Sequence, residues 1–259
     1  MTKKFVKSEI FDRLINKIYD VLSFYLYKKR SILIKEHKIV TFSFDDCHET
    51  SLLQASKLLD NYEKKGTFYI CLGLSGKSNT NGNYADSEQI KHILKNGHEL
   101  ACHSYSHLDC RQNTLADVMT DCNKNRNTSK HLFGIDMNSF SYPYGSACPS
   151  VKKMLSKEYI TLRTVKNGIN SNCIDLAALK AVPMYGGVEK NVCFEWLNRL
   201  KYQSGWLIFY THDVMNNHTY YGCTEELINN LLIECINNKI KILSIKEVVK
   251  EYIELIDYT

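Results

Sequence analysis

From residue 38 onward, segments that read as short strands alternate with segments that read as helices. No other feature limits the possible folds as much. Residues 38–44 (KIVTFSF), 67–72, 98–103, 138–142, 159–165, 180–184, 206–211 (WLIFYT) and 240–244 have the character of strands. Helices are predicted between them at 49–64, 86–96, 114–132, 149–157, 190–203, 224–237 and 245–256, two of them stopping at Gly66 and Gly97. Repeated strand–helix units imply a parallel sheet with helices outside it. In a chain of 259 residues this predicts an α/β fold, a distorted (β/α) barrel of about seven parallel strands. A doubly wound open sheet would want a glycine-rich phosphate turn after its first strand. Here that strand runs into Asp45-Asp46, whose charges would repel phosphate.

Ahead of the barrel, residues 5–27 read as one amphipathic helix, with Phe11, Leu14, Ile15, Ile18, Leu22, Tyr25 and Leu26 at helical spacing. The expected organisation is therefore residues 1–37 as N-terminal helix and linker and 38–259 as barrel. Residues 1–30 carry a net +5, the formal charge of the whole chain, so the remainder is balanced and gives no reason to expect nucleic acid as a partner. Two readings of the helix stay open: an apolar face packed on the barrel, or a face in weak contact with an anionic membrane surface.

Composition narrows the class further. The chain is 44% hydrophobic and 24% charged with three prolines, which suits one continuous globular fold. Its ten cysteines include no C-x-x-C pair, so a zinc ribbon or thioredoxin-like motif is not expected. Lys7, Glu9, Asp12 and Arg13 interrupt the early apolar residues, unlike a secretory signal. The expectation is a cytoplasmic protein with reduced thiols, possible membrane contact being peripheral and at the inner leaflet.

Function is written at the strand ends. Asp45 and Asp46 follow the first strand, His103 and His107 the third, and His212 the apolar strand 206–211. In a parallel barrel these ends line one mouth, where catalytic groups collect. His103 and His107 are four apart and on a helical turn would face one way. Two imidazoles and a carboxylate form a facial set for a divalent ion with positions left for water. A helix cap accounts for one aspartate at most and for neither histidine.

Four motifs, SFDD at 43–46, HSYSH at 103–107, FSYPYG at 140–145 and YTH at 210–212, occur in the order found in the NodB-homology polysaccharide deacetylases, carbohydrate esterase family 4. The chain resembles that family over about residues 38–250, in a branch with an FSYPYG third motif. The resemblance implies a deacetylase acting on acetylated sugars with one divalent metal ion, most commonly Zn2+. It implies Asp45 as catalytic base, Asp46, His103 and His107 as metal ligands, His212 as general acid, the Tyr144 backbone N–H as an oxyanion donor, and Ser104 as a residue steadying the metal loop. Ser141 stands where the family often has an arginine that orients the base. Arg163, near the end of strand 159–165, is the candidate to replace it, with an ordinary structural ion pair as the alternative. Tyr210 shares a strand face with His212 and either walls the acetyl pocket or packs in the core.

The expected activity is hydrolytic removal of an acetyl group from an N-acetylated sugar in surface-polysaccharide biosynthesis, on a nucleotide- or lipid-linked substrate. An amidase or deformylase acting on another C–N bond, and a catalytically silent carbohydrate-binding protein, are the alternatives.

Overall fold

The computed structural model describes residues 15–33, 37–79, 82–187 and 190–255. The barrel strands are β1 Lys38–Phe44, β2 Thr67–Ile70, β3 Glu99–Cys102, β4 Ser139–Ser141, β5 Thr161–Arg163, β6 Val182–Pro183, β7 Gly205–Thr211 and β8 Lys241–Ile242. All pair in parallel, in the spatial order β6-β7-β1-β2-β3-β4-β5, with β8 joining β1. The wall is uneven. Ile39 and Val40 of β1 pair with β8, whereas Ser43 and Phe44 pair with β2. Between β5 and β6 one connecting segment replaces a full strand: Leu162 N–H donates to Leu176 O (2.7 Å) and Thr164 N–H to Leu179 O (2.9 Å). This is the distorted (β/α) barrel expected from the alternation.

Side chains along a strand point alternately to its two faces. Ile39, Tyr69, Ala101, Trp206 and Ile208 accordingly gather in one buried cluster inside the barrel. Their neighbours Val40, Phe42, Phe68, Leu100, Leu207 and Phe209 gather in the other, beneath the helices. Because both faces are covered, β1 and β7 are buried nearly end to end, and this is why KIVTFSF and WLIFYT read as continuous apolar runs. Continued past the strand ends, the same alternation turns Asp45, His103 and His212 inward, together with Tyr210.

The opposite end of the barrel is closed by a polar knot. The buried Glu99 carboxylate accepts from Thr67 Oγ1, Ser139 Oγ and the Lys246 backbone N–H, each at 2.8 Å. This docks the start of the helix Ile245–Tyr252, which carries a Ser244–Glu247 capping box. Burial pushes the Glu99 carboxyl up, against these donors.

Residues 15–25 are helical; the remainder of the predicted helix before residue 15 lies outside the described residues. The helix is pinned by Arg111, which reaches Asn16 and Asp20, and by Lys152 Nζ, which donates to Ser23 O (2.8 Å). Its apolar stripe is not packed away: Ile18 is 49%, Leu22 39% and Tyr25 62% exposed. An unexpected strand, Arg30–Leu33, follows the helix and pairs antiparallel with both Cys173–Asp175 and Ile253–Leu255. The last of these strands takes the place of the final turn of the helix predicted over 245–256, which ends at Tyr252. No helix among the described residues is long and apolar enough to cross a membrane. All ten cysteines are unpaired, and nine of them are buried.

Candidate metal centre and active site

The C-terminal strand ends enclose a cavity of about 660 Å3. Asp46, His103 and His107 meet on its wall. One ligand atom from each lies within 4.8 Å of the others, with Asp46 Oδ1 3.3 Å from His103 Nε2 and 3.1 Å from His107 Nε2. His103 Nδ1 lies 2.8 Å from Ser141 O. A carbonyl can only accept, so Nδ1 carries a proton, and in the neutral ring Nε2 presents its lone pair to the site. A carboxylate oxygen and an imidazole lone pair cannot hydrogen-bond to one another, and a cation between them satisfies both. The residues therefore fit a divalent ion, in the arrangement expected from the strand ends.

The route to that arrangement differs from the sequence expectation. Residues 103–107 form no helical turn. They make a loop in which Ser104 (φ 60°) and His107 (φ 58°) both take the left-handed conformation. The loop is held by Asp121 on the helix Leu115–Phe133, whose carboxylate accepts from the Tyr105 N–H (2.6 Å), the Ser106 N–H (3.1 Å) and Ser106 Oγ (2.7 Å). Ser104 Oγ accepts from the Leu108 N–H at 2.9 Å and closes the loop behind His107. Asp46 (φ 68°), Cys47 (φ 78°) and Tyr144 (φ 58°) share the left-handed region. Each such non-glycine residue costs on the order of 1–3 kcal/mol, which the surrounding contacts must offset. Strain of this kind concentrates where side chains are aimed by something other than packing.

Beside the triad, Asp45 Oδ2 pairs with Arg163 Nη2, which also donates to Ser141 Oγ. Arg163 comes from β5 and enters beneath the cavity between the rings of Tyr69 and Tyr210, 5.0 and 4.8 Å from their centroids. Burial works against the guanidinium's charge, and Asp45 with Tyr69 and Tyr210 outweighs it, so Arg163 sits above its ordinary value. The Asp45 backbone is fixed by its N–H to Thr211 O (2.9 Å), while its Oδ1 is buried with no hydrogen-bond partner among the described residues. One carboxylate oxygen is held and the other is left as an acceptor.

His212 stands across the cavity, half-buried, with Nδ1 3.3 Å from Tyr221 O. Tyr144, 68% exposed, covers the metal loop with its ring 4.4 Å from that of His107. Tyr210 lines the cavity and also packs on Arg163, so its two proposed settings coexist. Sequence reasoning missed Tyr185, Tyr220 and Tyr221, which join His212 in an aromatic group with ring centroids 5.1–6.3 Å apart. The adjacent pair Tyr220-Tyr221 in an otherwise polar loop was the available signal. Asp213 shapes that loop by accepting from the Thr219 N–H at 2.7 Å. His48 is buried against Tyr84 and lines the cavity. Burial lowers its affinity for a proton. Cys47 is buried with its thiol pushed up by desolvation, and Cys102 packs outside the barrel wall with Tyr159 and Asn125, so neither is placed as a nucleophile.

Fold and site together define a (β/α) barrel protein with an Asp-His-His set at its strand ends that could hold a metal ion. Residues 34–161 match the polysaccharide deacetylase family. A bifunctional xylanase/deacetylase of Pseudobutyrivibrio xylanivorans is 28% identical over 110 residues, which is 42% of this chain and 17% of that protein. The chain thus aligns with a small part of this relative. Among solved structures, the carbohydrate esterase domain of a multidomain xylanase from the hindgut metagenome of Trinervitermes trinervoides matches with TM-score 0.59 and 16% identity. The match covers 83% of this chain and 91% of that one. A family 4 acetyl xylan esterase from Clostridium thermocellum, solved with a cobalt ion, matches with TM-score 0.59 and 16% identity over 82% of this chain and 91% of that one. At these identities the structural matches establish the shared fold.

Proposed function

We propose that this protein is a metal-dependent hydrolase that removes the acetyl group from an N-acetylated sugar, on a nucleotide- or lipid-linked precursor of a surface polysaccharide. The observation that carries the reading is the meeting, in one cavity, of a metal-ligating triad, an ion-paired aspartate with one free oxygen, and an imidazole on the far wall. A divalent ion held by Asp46, His103 and His107, zinc being the best match to this nitrogen and oxygen donor set, supplies Lewis acidity for the acetyl carbonyl and lowers the pKa of a bound water.

The remaining chemistry belongs to the chain. Asp45 Oδ1 accepts the proton of the water that attacks the carbonyl carbon, while Arg163, which also donates to Ser141 Oγ, holds Asp45 Oδ2 and so keeps the carboxylate aimed. The backbone N–H of Tyr144 offers a donor to the developing oxyanion. As the C–N bond breaks, protonated His212 gives a proton to the departing nitrogen, its ring oriented by Tyr221 O. Acetate and the free amine leave. Tyr220 and Tyr221 present exposed ring faces on which a sugar can stack.

The test is acetate release by the metal-loaded protein from N-acetylated oligosaccharides, N-acetylhexosamine nucleotides and O-acetylated xylan, with chelated protein as the control. Metal-dependent release from an N-acetylated sugar is expected. Absence of release from every acetylated sugar overturns the reading.

A further inference from the structure

The catalytic cavity does not end at Tyr144. Gly145 and Val165 line it and also line an adjoining cleft of about 280 Å3, whose walls include Val21 and Phe24 of the N-terminal helix and Ala178. Phe24 and Ala178 in turn line a third space of about 260 Å3 that reaches Lys28, Arg30 and Lys180. Shared wall residues place the three spaces side by side, as recesses in series that form a groove from the metal centre along the helix.

Two properties of the groove point to its occupant. Cations collect around Phe24: Lys166 Nζ lies 3.4 Å from the ring centroid, Lys180 Nζ 5.7 Å and Lys28 Nζ 5.9 Å. None of these lysines, nor Arg30, has an ion pair with a carboxylate among the described residues. The nearby Asp20 and Asp175 are taken by Arg111 and Lys152. Burial and the neighbouring Lys180 push the Lys166 ammonium down, and Asp20 opposes them. The wall of the cleft of about 280 Å3 beside these cations is mainly apolar, from Val21, Phe24, Ala147, Val165, Ala177 and Ala178, with Asp20, Ser23 and Thr164 among its polar members, and the helix continues it outward with exposed Ile18, Leu22 and Tyr25. An alkyl and aromatic wall gives a ribose and base few hydrogen-bond partners, and it suits a hydrocarbon chain.

On the deacetylase reading above, we propose that this groove binds the phosphorylated, apolar-tailed end of a lipid-linked sugar. The acetylated sugar lies at the metal centre, the phosphate against Lys166, Lys180 and Lys28, and the tail along Val21 and Phe24. The exposed helix face then lies toward the membrane that holds the rest of the tail.

The probe is farnesyl phosphate below its aggregation concentration, titrated into the full-length, metal-loaded protein, with inorganic phosphate and uridine diphosphate as comparisons. Salt-sensitive binding of farnesyl phosphate is expected, weakened about tenfold in the Lys166→Gln/Lys180→Gln variant, with both comparison ligands binding more weakly. The Lys28→Gln/Arg30→Gln variant, altered at exposed positions, gives a second measurement should the first fold poorly. Absence of farnesyl phosphate binding, equal binding by the variants, or tighter binding of uridine diphosphate overturns the proposal. The titration needs no turnover. Acetate release without farnesyl phosphate binding ends the groove assignment and spares the deacetylase reading. Binding without acetate release from any sugar ends the deacetylase reading and supports the groove.

Discussion

Replacing Arg163 with methionine is the most informative single change to this barrel. The Arg163 side chain is 0% and that of Asp45 4% exposed, so the pair is removed from solvent. Methionine fills much of the space between Tyr69 and Tyr210 but leaves the Asp45 carboxylate without its cation. Breaking a buried pair from one side costs about 3–5 kcal/mol, most of it from the charge left uncompensated. With a urea slope of about 2–3 kcal/mol/M, the unfolding midpoint falls by roughly 1–2.5 M. Asp45→Asn in the same chain removes that charge, and the double variant regains about 2 kcal/mol relative to additivity. Acetate release by Arg163→Met falls on the order of 100-fold, because the base is no longer held against the reacting water. Arg163→Lys keeps the charge and loses the two-donor fork to Asp45 and Ser141, so it falls between. Urea unfolding of the parent, the Arg163→Met and Asp45→Asn single variants and the double variant, with initial rates of acetate release from the parent, Arg163→Met and Arg163→Lys, decides the matter. An Arg163→Met midpoint within about 0.3 M of the parent, or strict additivity in the double variant, refutes the reasoning.

Other outcomes follow from the same geometry. His107→Ala removes one of three ligands, and metal content measured on the purified protein falls well below that of the parent; undiminished metal removes His107 from the centre. His212→Ala keeps its metal and loses roughly 10²–10⁴-fold in turnover of an N-acetyl substrate, with a smaller loss on an activated ester whose leaving group needs little protonation. Near-parental amide turnover ends the general-acid assignment. His98 is buried, its Nδ1 accepts from the Gly66 N–H (3.1 Å), and burial lowers its pKa below the value of about 6.5 expected when unfolded. Stability from keeping His98 neutral is complete above that unfolded value and is lost as pH falls through the folded one. Thermal unfolding at pH 7.5 and 5.5 should show the parent losing more on acidification than His98→Gln; an equal loss contradicts this.

The fold was legible because βα alternation and continuous apolar runs leave strong marks in β1 and β7, and the strand-end rule placed Asp45, His103 and His212 at one mouth without coordinates. The pairing of Arg163 with Asp45 was legible in a weaker sense. Ser141 occupies the slot where an arginine was expected, and β5 lies next to β4, so alternation carries Arg163 to the same interior layer as Ser141. The backbone of residues 103–107 was not legible. Four-residue spacing suits a helical turn equally well, and only the anchor from Asp121 on a helix further along the chain selects the left-handed loop. Tyr185, Tyr220 and Tyr221 were missed for a related reason, because their meeting depends on long loops that carry no periodicity. The strand Arg30–Leu33 escaped notice because its partners lie more than a hundred residues away.

The central claim is that Asp46, His103 and His107 hold one divalent ion in the cavity where Asp45 and His212 act. Anomalous diffraction recorded on either side of the zinc absorption edge, from crystals of the protein purified without added metal and then loaded with Zn2+, tests it most directly. The account predicts a single strong peak about 2.0–2.2 Å from Asp46 Oδ1, His103 Nε2 and His107 Nε2. A cavity without a peak in loaded crystals, or an ion ligated by other residues with this triad empty, contradicts it.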